Sequence, residues 1–183
     1  MKLGCIVLLL LCALNLVALS FEAEELDFTL GKGYWEMDGL FHFTNYADST
    51  YKGAIFFPIP QDSLALHPEL TKLEVVESAE AKCKFIAQNE KGFSFQLTMP
   101  AKHFCTLRIA YRQVLKGNSA TYIISTANSW DAPLSYAKYR LKLLDGITLT
   151  KAPFSLQSAD NNVYTWEFTN FRPQTEFNLG FCY

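Results

Sequence analysis

Phe93-Ser94-Phe95-Gln96-Leu97-Thr98 alternates apolar and polar residues without interruption, and this pattern decides the fold. Successive side chains of a β-strand point to opposite sides, so such a stretch buries one face and exposes the other. The same period of two recurs outward in both directions, at 41–44, 72–75, 82–85, 106–112, 138–143, 164–169 and 176–183. We therefore predict an all-β chain, an antiparallel β-sandwich of about a dozen short strands.

Turn-forming residues separate several of these stretches. Asn89-Glu90-Lys91-Gly92, Lys116-Gly117-Asn118-Ser119 and Asp160-Asn161-Asn162 each predict a hairpin turn. Pro58 and Pro60 predict the end of a strand, because proline cannot donate a ladder hydrogen bond. We expect one domain over residues 21–183. Two β subdomains that meet near residues 116–119 are the alternative.

Residues 1–20 have the layout of a secretory signal peptide. Lys2 precedes an apolar run that extends to Leu19, and Ala18 and Ser20 stand where small residues precede a cleavage site. We expect cleavage after Ser20 and an extracytoplasmic protein that is secreted, periplasmic or associated with the cell envelope. A signal retained as an anchor is the alternative. No later apolar run is long enough to span a bilayer, so no transmembrane helix is expected after cleavage.

Composition and motifs argue against several classes of function. The net charge is −2 at pH 7, and loss of Lys2 makes it more negative, so we expect no nucleic-acid partner. The sequence has no nucleophile motif and no metal-binding pattern. We therefore predict that the protein is not an enzyme and has no catalytic residues, metal or cofactor. A hydrolase is a third possibility, through Asp131 and Asp160, and would require these carboxylates to meet in a cleft.

The cysteines of the mature chain are Cys83, Cys105 and Cys182. If residues 81–113 form a meander, Cys83 and Cys105 both face Leu97 and lie ~9.6 Å apart across it, too far for a disulfide. Cys182 is out of phase with its apolar neighbours. We therefore predict buried thiols at Cys83 and Cys105, an exposed Cys182 and no disulfide. A bridge between two of the three in another topology is the alternative.

Several short motifs together resemble known β proteins. Phe43-Thr44-Asn45 followed by Phe56-Phe57-Pro58-Ile59-Pro60 is similar to the opening of vault/inter-alpha-trypsin-type domains and to a group of bacterial secreted β-sandwich proteins of unknown function. The segments 107–111, 122–126, 130–134 and 164–166 also resemble that bacterial group. The resemblance spans about residues 40–181 and implies a β-sandwich without a known activity.

Aromatic residues in loops are the candidate contact residues. Trp130 with Asp131, and Tyr34 with Trp35, are expected to meet an unknown protein or envelope partner, although Trp130 could instead cap the open end of the sandwich. The leading hypothesis is a non-enzymatic interaction or envelope-associated module. One alternative is a carrier with an apolar pocket between its β-layers, since Gly33-Tyr34-Trp35 resembles the Gly-x-Trp of lipocalins. Another is a small outer-membrane barrel, suggested by the closing strand 177–183.

Overall fold

The computed structural model describes residues 19–60, 65–66, 68–78 and 80–183. The predicted signal peptide lies outside the described residues except for Leu19 and Ser20, which begin the first strand. The strands are β1 (Leu19–Gly31), β2 (Tyr34–Asn45), β3 (Tyr51–Pro58), β4 (Glu69–Glu77), β5 (Lys82–Asn89), β6 (Gly92–Met99), β7 (Phe104–Val114), β8 (Ser119–Tyr122), β9 (Leu134–Leu143), β10 (Thr148–Lys151), β11 (Ser158–Asp160), β12 (Val163–Phe171) and β13 (Phe177–Cys182). A short 3-10 helix spans Ser125–Ser129.

The strands form one large sheet and two small ones, which confirms the all-β prediction. The large sheet has the order β11-β12-β9-β1-β2-β7-β4, and the small sheets have the orders β10-β13-β8 and β3-β6-β5. The pair β1 and β9 is parallel, whereas the other pairs between described strands are antiparallel. No helix within the described ranges is long and apolar enough to cross a membrane.

Both small sheets pack on the same face of the large sheet. Phe28 of β1 stacks on Phe177 of β13 with ring centroids 4.5 Å apart, and Phe41 of β2 meets Phe57 of β3 at 5.7 Å. The second layer of the sandwich is therefore split. Its two parts meet at the edge strands β3 and β8, which touch through Phe57 and Tyr122 at 6.0 Å but do not pair.

A β-bulge in β1 decides which of its side chains point inward. Phe21 lies opposite Phe43, but Ala23 lies opposite His42, so one extra residue stands between them. The bulge shifts the alternation by one residue and turns Glu24 to the apolar side together with the core residues that follow it. Leu26, Phe28 and Leu30 are buried on that side, whereas Asp27 is exposed.

The predicted turns at residues 89–92 and 160–162 are confirmed. Asn89 lies opposite Gly92 in the hairpin of β5 and β6. Asn161 and Asn162 both have positive φ, 48° and 63°, as the tight turn between β11 and β12 requires. β3 ends at Pro58, also as predicted.

Two predicted strand pairings are wrong. β7 does not continue the meander beside β6 but pairs with β2 and β4 in the large sheet. The residues 116–118 connect β7 to β8 without forming a hairpin, because β8 pairs with β13. In both cases the strand pairs with strands distant in sequence, and the large sheet takes strands from both sides of residues 116–119.

These pairings determine the surroundings of the three cysteines. Cys83 lies opposite Leu97, as predicted, but Cys105 lies opposite Phe43 and directs its thiol to the Met99 sulfur at 3.5 Å. All three are free thiols; Cys105 is buried and Cys182 is exposed. Cys83 is only partly covered, contrary to the expected burial, because β5 is the outer strand of its sheet.

Candidate functional site

A cavity of about 410 Å³ opens where the second layer is split. Its floor is the inner face of the large sheet, with Phe21 and Glu24 of β1, Phe41 and Phe43 of β2, and Ile109 of β7. One wall is β3 and the other is the segment from Tyr122 to Trp130. This volume falls within the roughly 300–1,000 Å³ typical of small-molecule sites.

Nine of the seventeen described residues that line the cavity are aromatic. Phe21 stacks on Phe43 with centroids 5.1 Å apart, and Trp130 leans on the same two rings at 5.8 and 5.7 Å. Tyr51 and Ile55 of β3 are only partly buried across the cavity. The site therefore offers flat apolar faces to a bound molecule.

Glu24 is the acidic residue of the cavity lining and is 3% exposed. Its Oε1 accepts a hydrogen bond of 2.6 Å from the Tyr139 hydroxyl of β9. Burial away from water raises the pKa of Glu24 to about 7, although the hydrogen bond from Tyr139 opposes the rise. Burial together with the Glu24 charge also raises the pKa of Tyr122 well above its ordinary value, so this lining tyrosine keeps its proton.

The basic side chains of the neighbouring strands form ion pairs away from Glu24. Lys138 of β9 meets Glu167 at 3.1 Å, and Arg140 of the same strand meets Asp27 at 3.4 Å. These residues alternate with the inward-facing Tyr139 and therefore lie on the outer face of the large sheet. Consequently, Glu24 is a buried carboxyl for which the described residues show no basic partner.

The wall that carries Trp130 is fixed by the loop before β13. Glu176 accepts hydrogen bonds from the backbone N–H groups of Ile124 and Ser125, at 2.8 and 3.1 Å, and also from the Ser125 hydroxyl. Asn128 donates to the Pro173 carbonyl at 2.7 Å. These bonds hold the 3-10 helix and the residues after it against the rest of the small sheet.

The four predicted contact residues do not form one surface. Trp130 lines the cavity and is half-buried, and Asp131 is exposed beside it, with its carbonyl bonded to Arg172 at 2.6 Å. Tyr34 lies elsewhere, under the Arg112 guanidinium at 3.8 Å. Trp35 is fully buried, contrary to the expected exposed contact, because β2 turns it into the core.

The acid pair expected of a hydrolase is not part of this cavity. Asp131 lies on the loop after the 3-10 helix, Asp160 ends β11 at the edge of the large sheet, and neither lines the cavity. The described residues also hold no group of three or more His, Cys, Asp or Glu side chains that could bind a metal ion.

Glu24 is not among the site residues predicted from the sequence, although the sequence carries a signal for it. Glu24 is separated from Leu26, Phe28 and Leu30 by even numbers of residues, so the alternation of a strand places its carboxyl on the apolar face. An acidic residue in such a position is either paired or functional.

Comparisons with known proteins support the fold alone. The sequence matches no protein-family model and no curated protein. A solved structure from Legionella pneumophila, described as a "putative nutrient binding protein", aligns with a TM-score of 0.59 at 14% identity, over 90% of this chain and 67% of the other. Leukotriene A4 hydrolase from Saccharomyces cerevisiae aligns with a TM-score of 0.52 at 12% identity, over 91% of this chain but only 30% of the hydrolase. The chain therefore shares its β-sheet architecture with these two structures.

Proposed function

We propose that this chain is a non-enzymatic binding module that holds a small, largely apolar molecule in the cavity between its β-layers. The observation that carries the proposal is the cavity of about 410 Å³, which the described residues line with aromatic rings and one buried carboxyl, that of Glu24. An apolar cleft with a few polar groups is the usual form of a small-molecule site. This corresponds to the carrier alternative of the sequence analysis.

The placement of the aromatic residues favours this function over a protein-interaction surface. Of the three aromatic contact candidates, Trp130 faces the cavity, Trp35 is in the core and Tyr34 is covered by an arginine. The described nutrient-binding role of the Legionella protein is compatible with a small ligand. The signal-peptide pattern of residues 1–20 supports a location outside the cytoplasm.

Tryptophan fluorescence tests the proposal directly, because Trp130 lines the cavity while Trp35 and Trp166 are fully buried. The probes are 4-phenylbutan-1-ol, 4-phenylbutylamine and 4-phenylbutanoate, which share one apolar body. We expect a saturable change of emission with at least one of them, and loss of that change in Trp130→Phe.

A bulky substitution at the cavity wall provides the matched control. Ile55 of β3 lines the cavity and is partly buried on the inward face of its strand, whereas Ile86 is exposed on β5 outside the cavity. We expect Ile55→Trp to abolish probe binding and Ile86→Trp to bind as the wild type does. Failure of all three probes to saturate, or unchanged binding in Ile55→Trp, would contradict the proposed function and favour an interaction module.

A further inference from the structure

We propose that the cavity selects ligands that carry a protonated amine at the end of an apolar body, and that Glu24 binds the amine. This inference rests on the proposed function and names the chemical class of its ligand. It assigns Glu24 a direct role in recognition.

Glu24 places a negative charge in the cavity without a positive partner among the described residues. It is 3% exposed and lines the cavity, and it accepts a hydrogen bond from the neutral hydroxyl of Tyr139. A hydroxyl can donate a hydrogen bond to a carboxylate but supplies no positive charge. Buried carboxylates are usually paired with a cation, and the nearby basic residues on β9 pair on the opposite face of the sheet. An ammonium group in the cavity would provide the missing partner.

The aromatic lining favours a cation independently of Glu24. The rings of Phe21, Phe43 and Trp130 pack on one another and line the same cavity. Aromatic faces carry negative electrostatic potential, and a cation within about 6 Å of a ring centroid is attracted to it. Tryptophan is the most favourable ring for this interaction. The rings can therefore contact both the apolar body of the ligand and its ammonium group.

The charge of the lining disfavours an anionic ligand. The cavity residues that the structure describes include Glu24 but no lysine or arginine. A ligand carboxylate or phosphate would meet Glu24 without compensation and would be repelled. This excludes fatty acids and other anionic lipids as the preferred class.

Binding of the amine should depend on pH through Glu24. The titratable groups that face Glu24 are Tyr139 from β9 and Tyr122 from β8, and burial raises the pKa of both above the working range. Since burial raises the pKa of Glu24 itself to about 7, its carboxyl loses its proton between pH 6 and 8. Amine affinity should increase over that interval, because the probe amine stays protonated throughout.

The experiment compares 4-phenylbutylamine with 4-phenylbutan-1-ol on the same wild-type protein, by the Trp130 fluorescence titration. At pH 8 we expect the amine to bind about ten-fold tighter or more than the alcohol, and 4-phenylbutanoate to bind weakest. At pH 6 we expect the difference between amine and alcohol to shrink to about three-fold or less, as Glu24 becomes protonated.

Glu24→Gln is the matching variant, since it keeps the shape and removes the charge. We expect it to lose the preference for the amine, so that amine and alcohol bind to it within about three-fold of each other at pH 8. Glu36→Gln is the control, because Glu36 pairs with Arg112 on the outer face at 3.4 Å. Equal binding of amine and alcohol by the wild type, or a preference retained in Glu24→Gln, overturns this inference while leaving the proposed function intact. Absence of binding by every probe overturns both.

Discussion

Removing the charge at Glu24 should make the protein more stable at alkaline pH. Its carboxyl is fully buried, and burial raises its pKa from the ordinary 4.5 to about 7. The folded state therefore holds this proton over a pH range in which the unfolded chain has released it. The stabilisation associated with the proton is fully present below pH 4.5, declines between pH 4.5 and 7, and is lost as the pH rises through 7.

The magnitude follows from the size of the pKa change. Each pH unit between the unfolded and the folded value corresponds to ~1.4 kcal/mol. A rise from 4.5 to about 7 therefore changes the free energy of unfolding by about 3 kcal/mol between acid and alkaline conditions. This is a large share of the roughly 5–15 kcal/mol that stabilises a typical domain.

The assay is urea denaturation of ligand-free wild type and Glu24→Gln at a series of pH values from 4 to 9. Other titrating groups contribute to both proteins, so the difference between the two unfolding free energies isolates Glu24. We expect the wild type to lose about 3 kcal/mol relative to the variant across this range, with half of the change near pH 6. Glu36→Gln, which removes a partly exposed carboxylate from an ion pair, should differ from the wild type by only a small amount. A difference between wild type and Glu24→Gln that does not change with pH would refute the argument that burial controls this group.

Four further predictions follow from other side chains. In urea denaturation, Tyr111→Phe should leave the free energy of unfolding unchanged or raise it by about 1 kcal/mol, because the buried hydroxyl has no partner within the described ranges. A clear loss of stability would contradict this prediction. Asn45→Asp should lower the free energy of unfolding by about 3 kcal/mol, because the amide donates to backbone carbonyls at 2.8 and 2.9 Å that a carboxylate would repel; a loss below 1 kcal/mol would refute the structural role of this amide. Maleimide at pH 8 should label Cys182 in the native protein but Cys105 only after unfolding, because burial raises the pKa of Cys105 to about 11; peptide mass spectrometry reads this out. Glu176→Ala should weaken probe binding by about ten-fold in the fluorescence titration, since the Trp130 wall loses its hydrogen bonds; unchanged affinity would show that the wall holds without them.

The fold class could be predicted from the sequence because alternation is a local property. Each strand buries one face, and the period of two in stretches such as 93–98 records this without reference to any other strand. Turn chemistry is equally local, so the positive φ values of Asn161 and Asn162 follow from their residue type.

Strand order could not be predicted in the same way, because pairing depends on contacts between distant segments. β7 follows β6 in the chain, and a meander is the simplest connection, yet β7 lies between β2 and β4 in the other layer. The parallel pair of β1 and β9 joins residues more than a hundred positions apart. Alternation gives no information on such partners, since every strand offers the same kind of apolar face.

The residues of the candidate site could not be predicted from the sequence for a related reason. Trp35 and Trp130 have the same residue type and both follow a turn or loop, but one is fully buried and the other lines the cavity. The distinction arises from the split in the second layer, which depends on how both small sheets dock. Glu24 could have been noticed from its parity with Leu26 and Phe28, but the bulge that confirms its inward direction is visible only in the register with β2.

The location of Glu24 is itself an argument for function. An ionised carboxyl at this position destabilises the folded protein near neutral pH, and a glutamine or an aliphatic residue would not. The fold already tolerates apolar side chains everywhere else on the inward face of β1, at Leu26, Phe28 and Leu30. The inward position of β1 that carries an acid lines the cavity, as the inward Phe21 also does. A residue that lowers stability at a place where a bound ligand can compensate for the cost supports the proposed recognition of an amine.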